Sequence, residues 1–239
     1  MATRNSLSLV VDRAPSELRV RVACGALAGP LFVVAFTVIG ARRPAYDWRR
    51  HTVSSLAVGH RGWLQRVNFI LAGVLYSYAA RGLGRCPRRR VGPRVVPALV
   101  AAVGIGLIGS GVFVTDPMGG FPPVTRGEDR SNDVALAETA PTREGKMHNV
   151  CAVPIFAGLP LAGLASAVVA ARRRNYHWGS YSVSSSLVMV ASFVLMGRAF
   201  GGVPRLAGKG GIFQRISIAS GFGWVTALSL RALTSLPRP

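Results

Sequence analysis

Six long stretches of the chain are almost free of ionisable side chains, and the charged residues crowd between them. The first runs from about Val22 to Gly40, where the thiol of Cys24 is the one ionisable group. Five more follow, at about 63–80, 95–115, 150–171, 183–200 and 212–230. Each approaches the roughly 20 apolar residues that a helix needs to cross a hydrocarbon core. The pattern predicts an all-α, polytopic bundle of about six transmembrane helices, with 1–239 forming a single membrane domain. The second run is the least clean, because it contains Arg66 and Asn68. Both lie near one end, from which Arg66 can snorkel to the interface. Gly104, Gly106, Gly109 and Gly111 thin the third run and let neighbouring backbones approach. Pro30, Pro154 and Pro160 fall inside apolar runs and read as packing residues, the freed carbonyls being satisfied by neighbouring helices.

Composition strengthens this picture. Half of the 239 residues are hydrophobic and only 16% are charged. A soluble domain would carry about a quarter charged residues. The mean hydropathy is positive, at +0.36. A net charge of +20 raises nucleic acid as a partner. The arginines argue against it, since they sit in short clusters at the ends of apolar runs. Arg42 and Arg43, Arg88 to Arg90, and Arg172 to Arg174 make no continuous basic face. Clusters so placed fit anchoring to the anionic surface of a lipid bilayer. The three cysteines show no paired spacing, so no disulfide framework is expected. The first run is long, is preceded by about 20 residues and lacks a good cleavage site, so it reads as a retained helix. Basic residues are denser in the loops that lie inside when the amino terminus is inside, and only Asp12 and Glu17 of the nine acidic residues fall there. This predicts a multi-pass protein of the cell membrane with both termini cytoplasmic.

Candidate chemistry gathers on the outer side of that topology. The first outer loop reads Tyr46-Asp47-Trp48-Arg49-Arg50-His51-Thr52-Val53-Ser54-Ser55-Leu56. If helical, it would put Asp47, His51, Ser54 and Ser55 on one face. An acid, an imidazole and hydroxyls so placed can activate one another, or can form a wet interfacial segment that caps the next helix. Thr115-Asp116-Pro117 ends the third run. A carboxylate there should face the bundle interior or water, or mark a helix end stopped by proline. His148 opens the fourth run, with Cys151 one turn along at a spacing that can share a metal. Gln214-Arg215 heads the sixth. His60 reads as a loop residue. The segment from Asp116 to Met147 is polar and reads as either a binding element or a disordered excursion. The chain contains no HExxH, GxSxG, P-loop, Rossmann or haem-attachment motif.

Several of these residues resemble a family. Asp47…Arg50-His51-Thr52-Val53-Ser54-Ser55-Leu56, Gly62-Trp63-Leu64-Gln65 and Asn68-Phe69 are similar to the prokaryotic membrane proteins catalogued as domain of unknown function nine-nine-eight. Phe113 to Pro117, Gly119-Gly120-Phe121-Pro122-Pro123, His148 and Gly211-Ile212-Phe213-Gln214-Arg215 extend the likeness over most of the chain. The resemblance implies a six-helix integral membrane protein without an established activity. It points to Asp47, Arg50, His51, Ser54, Ser55, Asp116, His148, Gln214 and Arg215.

Two function classes follow. In one, the outer face binds an amphiphilic or anionic ligand, such as a lipid. His51, Asp116 and His148 would then be catalytic or hold a metal, with Asp47, Arg50, Ser54, Ser55, Gln214 and Arg215 binding the substrate. In the other, the chain is a transporter or an accessory subunit, and the polar cluster only locks the helices together.

Overall fold

The computed structural model describes residues 3–123 and 141–237, with side chains from Ser16 onward. Its helices are α1 (Thr3–Ala41), α2 (Trp63–Leu83), the single turn α3 (Arg88–Val91), α4 (Val95–Val112), α5 (Arg143–Val153), α6 (Leu159–Arg172), α7 (Tyr176–Phe200) and α8 (Gly210–Leu233). No strand occurs among the described residues. A π-helical turn at Pro154–Gly158 joins α5 to α6, so Arg143–Arg172 is one continuous span. Proline supplies no amide hydrogen, and the wider turn absorbs the missing α-helical bond.

Helices pack on their neighbours in chain order: α1 on α2, α2 on α4, α4 on α5 and α6, α6 on α7, α7 on α8. The last helix, α8, returns onto α1 and closes the ring. Phe32, Tyr76, Trp224 and Leu228 are buried inside it. The glycines of α4 serve two sides at once. A Cβ on Gly104 would stand 2.7 Å from the Gly73 carbonyl oxygen of α2, and one on Gly111 would stand 2.7 Å from the Arg66 carbonyl oxygen. Gly106 and Gly109 point the other way, against Cys151 of α5. Two helix backbones therefore touch α4 directly, as expected where packing of small residues drives association.

Polarity is arranged inside out. Val34, Ile105 and Leu187 are each more than 60% exposed. Ser182, Ser186, Ser217 and Ser229 are buried. Three of these hydroxyls bridge helices: Ser217 donates to the Met189 carbonyl at 2.9 Å, Ser186 donates to the Pro160 carbonyl at 3.1 Å, and the Trp224 indole N–H donates to Ser182 at 3.0 Å. An outer surface of aliphatic side chains around hydroxyl-bonded helices is the arrangement that lipid demands and water opposes.

Among the described residues, five helices are long and apolar enough to cross a membrane: Ser16–Ala41, Val95–Val112, Arg143–Arg172, Tyr176–Phe200 and Gly210–Leu233. The 21-residue α2 falls below that mark because Gln65, Arg66 and Asn68 lower its hydropathy. These side chains bond to neighbouring helices. Asn68 donates to the Phe32 carbonyl at 3.2 Å. Arg66 donates to the Gly111 carbonyl at 3.0 Å and the Val112 carbonyl at 3.3 Å. It caps the end of α4, whose last carbonyls lack helical partners, rather than reaching out to headgroups.

Candidate functional site

At one end of the bundle the segment 42–62 folds back over the helix ends and meets 113–123 and the starts of α5 and α8. It is not helical between Asp47 and Ser54; a turn links His51 N–H to the Asp47 carbonyl at 2.8 Å, and a short 3-10 turn spans Ser54–Ala57. The loop's own polar groups hold it in this shape. The Ser55 and Thr52 hydroxyls lie 2.7 Å apart and are buried. Val53 N–H donates to the Gln214 side-chain carbonyl at 2.6 Å.

His148 is buried and bridges two segments. Its Nδ1 lies 3.0 Å from the Phe113 carbonyl oxygen, and its Nε2 lies 3.1 Å from Ser54 Oγ. A carbonyl can only accept, so in the neutral ring Nδ1 carries the hydrogen and Nε2 is the acceptor. The Ser54 hydroxyl then donates to Nε2. The result is a serine paired with an imidazole whose other nitrogen is oriented by a main-chain carbonyl.

Beside this pair lies a cavity of about 20 Å³, room for one water, lined in part by Ser54, Ser110, His148 and Gln214. Ser110 Oγ is buried with no partner among the described residues. Accepting from Val53 fixes the Gln214 amide orientation and makes its nitrogen the donor end of a cavity-lining side chain. Phe32, Phe69 and Phe222 complete an apolar wall.

Asp116 stands between Phe113 and the start of α5. Its carboxylate accepts from the Thr142 hydroxyl at 2.5 Å and from Thr142 N–H at 3.2 Å. Thr142 in turn caps α5 by accepting Gly145 N–H at 3.0 Å. The carboxylate thus fixes the helix that carries His148, and it is close enough to act on that ring electrostatically. Gly145 is required here, since a Cβ would stand 2.8 Å from Asp116 Oδ1 and nearer still to Oδ2.

The remaining candidates form a second, adjoining cluster. His51 packs against Tyr46 and Phe121, with ring centroids at 5.6 and 5.2 Å. Its Nδ1 accepts the Asp47 main-chain N–H at 2.9 Å, while the Asp47 carboxylate accepts Arg49 N–H at 2.8 Å. Arg215 donates to the His51 carbonyl at 3.1 Å, the Gly211 carbonyl at 2.9 Å and the Tyr46 hydroxyl at 2.6 Å. Its guanidinium is engaged in joining the loop to α8. Arg50 is exposed. No hydrogen bond or ion pair joins His51 to Asp116 or His148 among the described residues. The nine sequence candidates therefore divide. Ser54, His148, Gln214 and Asp116 converge on or beside the cavity, Asp47, His51 and Arg215 belong to the adjoining cluster, Ser55 is spent on Thr52, and Arg50 faces solvent. Cys151 packs on Gly109, and both His148 nitrogens have protein partners. Residues 124–140 of the loop read as a binding element or an excursion lie outside the described residues.

Phe113 and Phe121 entered the sequence reading only through the family likeness, and Ser110 and Thr142 were given no role. Only Thr142 carries a local signal, a threonine ahead of an acidic first helical turn.

His51 is held below the ordinary imidazole value of about 6.5, first by burial and then by nearby Arg50 and Arg215, against the opposing pull of the Gly119 main chain and Asp47. Protonating Nδ1 would also break its bond to Asp47 N–H. The unfolded chain takes up this proton first, so the stabilisation is complete above about pH 6.5 and is lost as pH falls through the lower folded value. The melting temperature in detergent should drop as pH falls below about 6.5, and His51→Phe should drop less over the same range. Equal drops in both chains would contradict this.

Aliphatic surface, bridging interior hydroxyls and five membrane-length helices define an integral membrane protein of the helical-bundle class. The chain belongs to the family described as a protein of unknown function (DUF998), whose model matches residues 26–231. No curated protein and no solved structure matches it.

Proposed function

We propose that this protein is a membrane-embedded enzyme that acts on an amphiphilic acyl substrate at the outer leaflet, with Ser54 as nucleophile and His148 as its base. The observation that carries the reading is the 3.1 Å contact between Ser54 Oγ and His148 Nε2, with Nδ1 on the Phe113 carbonyl. A hydroxyl is a weak nucleophile at neutral pH, and a neutral imidazole accepting its proton is the usual remedy. In this reading the Gln214 amide donates to the developing oxyanion, as such donors do in acyl transfer. Asp116 positions α5, and exposed Arg50 meets an anionic part of the substrate at the rim. In the same proposal α2 crosses the membrane as a sixth span, both termini are cytoplasmic and the site faces outward.

A competing reading makes the cluster a structural lock. It is favoured by the Asp116 carboxylate being spent on Thr142 and by the small size of the cavity.

Labelling of intact cells with a fluorophosphonate tests the proposal. A membrane-impermeant probe should modify Ser54, and Ser54→Ala and His148→Gln should not be modified. Modification only by a permeant probe would reverse the orientation. No modification of Ser54 by either probe would leave the structural lock as the account.

A further inference from the structure

A second feature lies at the same end of the bundle, outside the Ser54–His148 cluster. Between the end of α1 and the start of α2 is a groove of about 640 Å³. Its lower wall is apolar, made by Ala35, Val38, Ile39 and Leu64. Its upper rim carries Arg42, Arg43, His60 and Arg61, and Trp63 stands at the boundary, 59% exposed. Tryptophan at such a boundary marks the depth of lipid headgroups.

The rim is a collection of like charges with no ion pair to any carboxylate among the described residues. Among the described residues the one ion pair is Arg21 with Glu17, near the other end of the Ser16–Ala41 span. Of the described carboxylates at this end of the molecule, Asp47 accepts Arg49 N–H, Asp116 accepts from Thr142, and Glu144 lies in the first turn of α5. Arg43 and Arg61 are close enough to repel: burial, and after it the Arg61 charge, push the Arg43 guanidinium below its ordinary value. The loop nevertheless holds Arg43 in place. Its guanidinium donates to the Val58 carbonyl at 2.5 Å, and Gly59, at φ +78°, lies against it. A loop that fastens one arginine beside another, neither of them ion-paired among the described residues, is suited to receive an anion.

We propose that this groove is a binding site for one anionic glycerophospholipid, its phosphate held by Arg42, Arg43 and Arg61 and an acyl chain laid along Val38, Ile39 and Leu64. The volume falls in the range of specific small-molecule sites. The charge selects against a zwitterionic lipid, whose terminal cation would face three arginines. The apolar wall selects for a lipid over a free phosphate, which would use the rim alone. The proposal is independent of any chemistry at Ser54.

Native mass spectrometry of the purified chain, released from nanodiscs of equal phosphatidylglycerol and phosphatidylcholine, reads the site directly. The wild type should retain one phosphatidylglycerol in preference to phosphatidylcholine by on the order of tenfold. Arg42→Gln/Arg61→Gln should bring the two lipids to near parity, while Arg81→Gln/Arg85→Gln, at and just beyond the opposite end of α2, should keep the preference. Arg43 is left intact because it also holds Val58. Equal retention of both lipids by the wild type, or an unchanged preference in Arg42→Gln/Arg61→Gln, would overturn the proposal. So would displacement of the retained lipid by millimolar inorganic phosphate. Should the double variant fail to fold, a photoreactive phosphatidylglycerol on the wild type decides: adducts within 35–64 support the site, and adducts elsewhere overturn it.

Discussion

His148→Ala is expected to abolish reactivity at Ser54 and to weaken the fold, whereas Ser54→Ala abolishes the reactivity and leaves the fold nearly intact. His148 is 3% exposed and spans two segments through both ring nitrogens. Truncating it removes the base, worth about 10²–10⁴ in rate. It also leaves the Phe113 carbonyl without its donor and enlarges the cavity, for a loss of about 2–4 kcal/mol. Ser54→Ala removes one hydroxyl that has a single partner, a loss of about 1 kcal/mol. Probe labelling together with thermal melts in detergent separates the two effects. If the two variants lost similar stability, Ser54 would be part of a lock and not a reacting group.

Asp116→Ala should release the start of α5. The carboxylate accepts two bonds from Thr142, which itself caps the helix, and a negative charge near a helix amino terminus is favourable in its own right. Losing a charged acceptor of this kind costs about 1.5–3 kcal/mol. Amide exchange at 143–148 should accelerate more than exchange in α8, and Thr142→Val should reproduce much of the change. The two substitutions together should cost less than their sum, because they break the same contact. Additive losses, or exchange that rises evenly along the chain, would contradict a local clasp.

How much of this was legible in the sequence differs from element to element. The apolar runs announced α4, α7 and α8 because charge is scarce in them, absent from α4 and limited to Arg198 and Arg215 within the other two runs. Scarcity of charge is a property that sequence displays directly. The beginning of α5 was less visible, since Arg143 and Lys146 are polar and what starts the helix is Thr142 held by a carboxylate 26 residues away. Spacing suggested His51 with Ser54 and His148 with Cys151, both near in sequence. The structure instead pairs Ser54 with His148, 94 residues apart, because the loop after α1 folds over the end of α4. The group that sets the His148 tautomer is a main-chain carbonyl, which no residue type announces. Arg215 was legible as important and opaque as to role: it bonds to two carbonyls and a tyrosine hydroxyl, where an anion had been expected.

The central claim is that His148 draws a proton from whatever hydroxyl or thiol stands at position 54. Ser54→Cys, in a chain whose Cys24, Cys86 and Cys151 are replaced by alanine, turns that claim into a titration. The rate of alkylation measured against pH reports the thiolate, whose ordinary pKa is about 8.5. The account predicts a midpoint below that value, shifting up toward it when His148→Gln is added. Identical midpoints with and without His148 would contradict it.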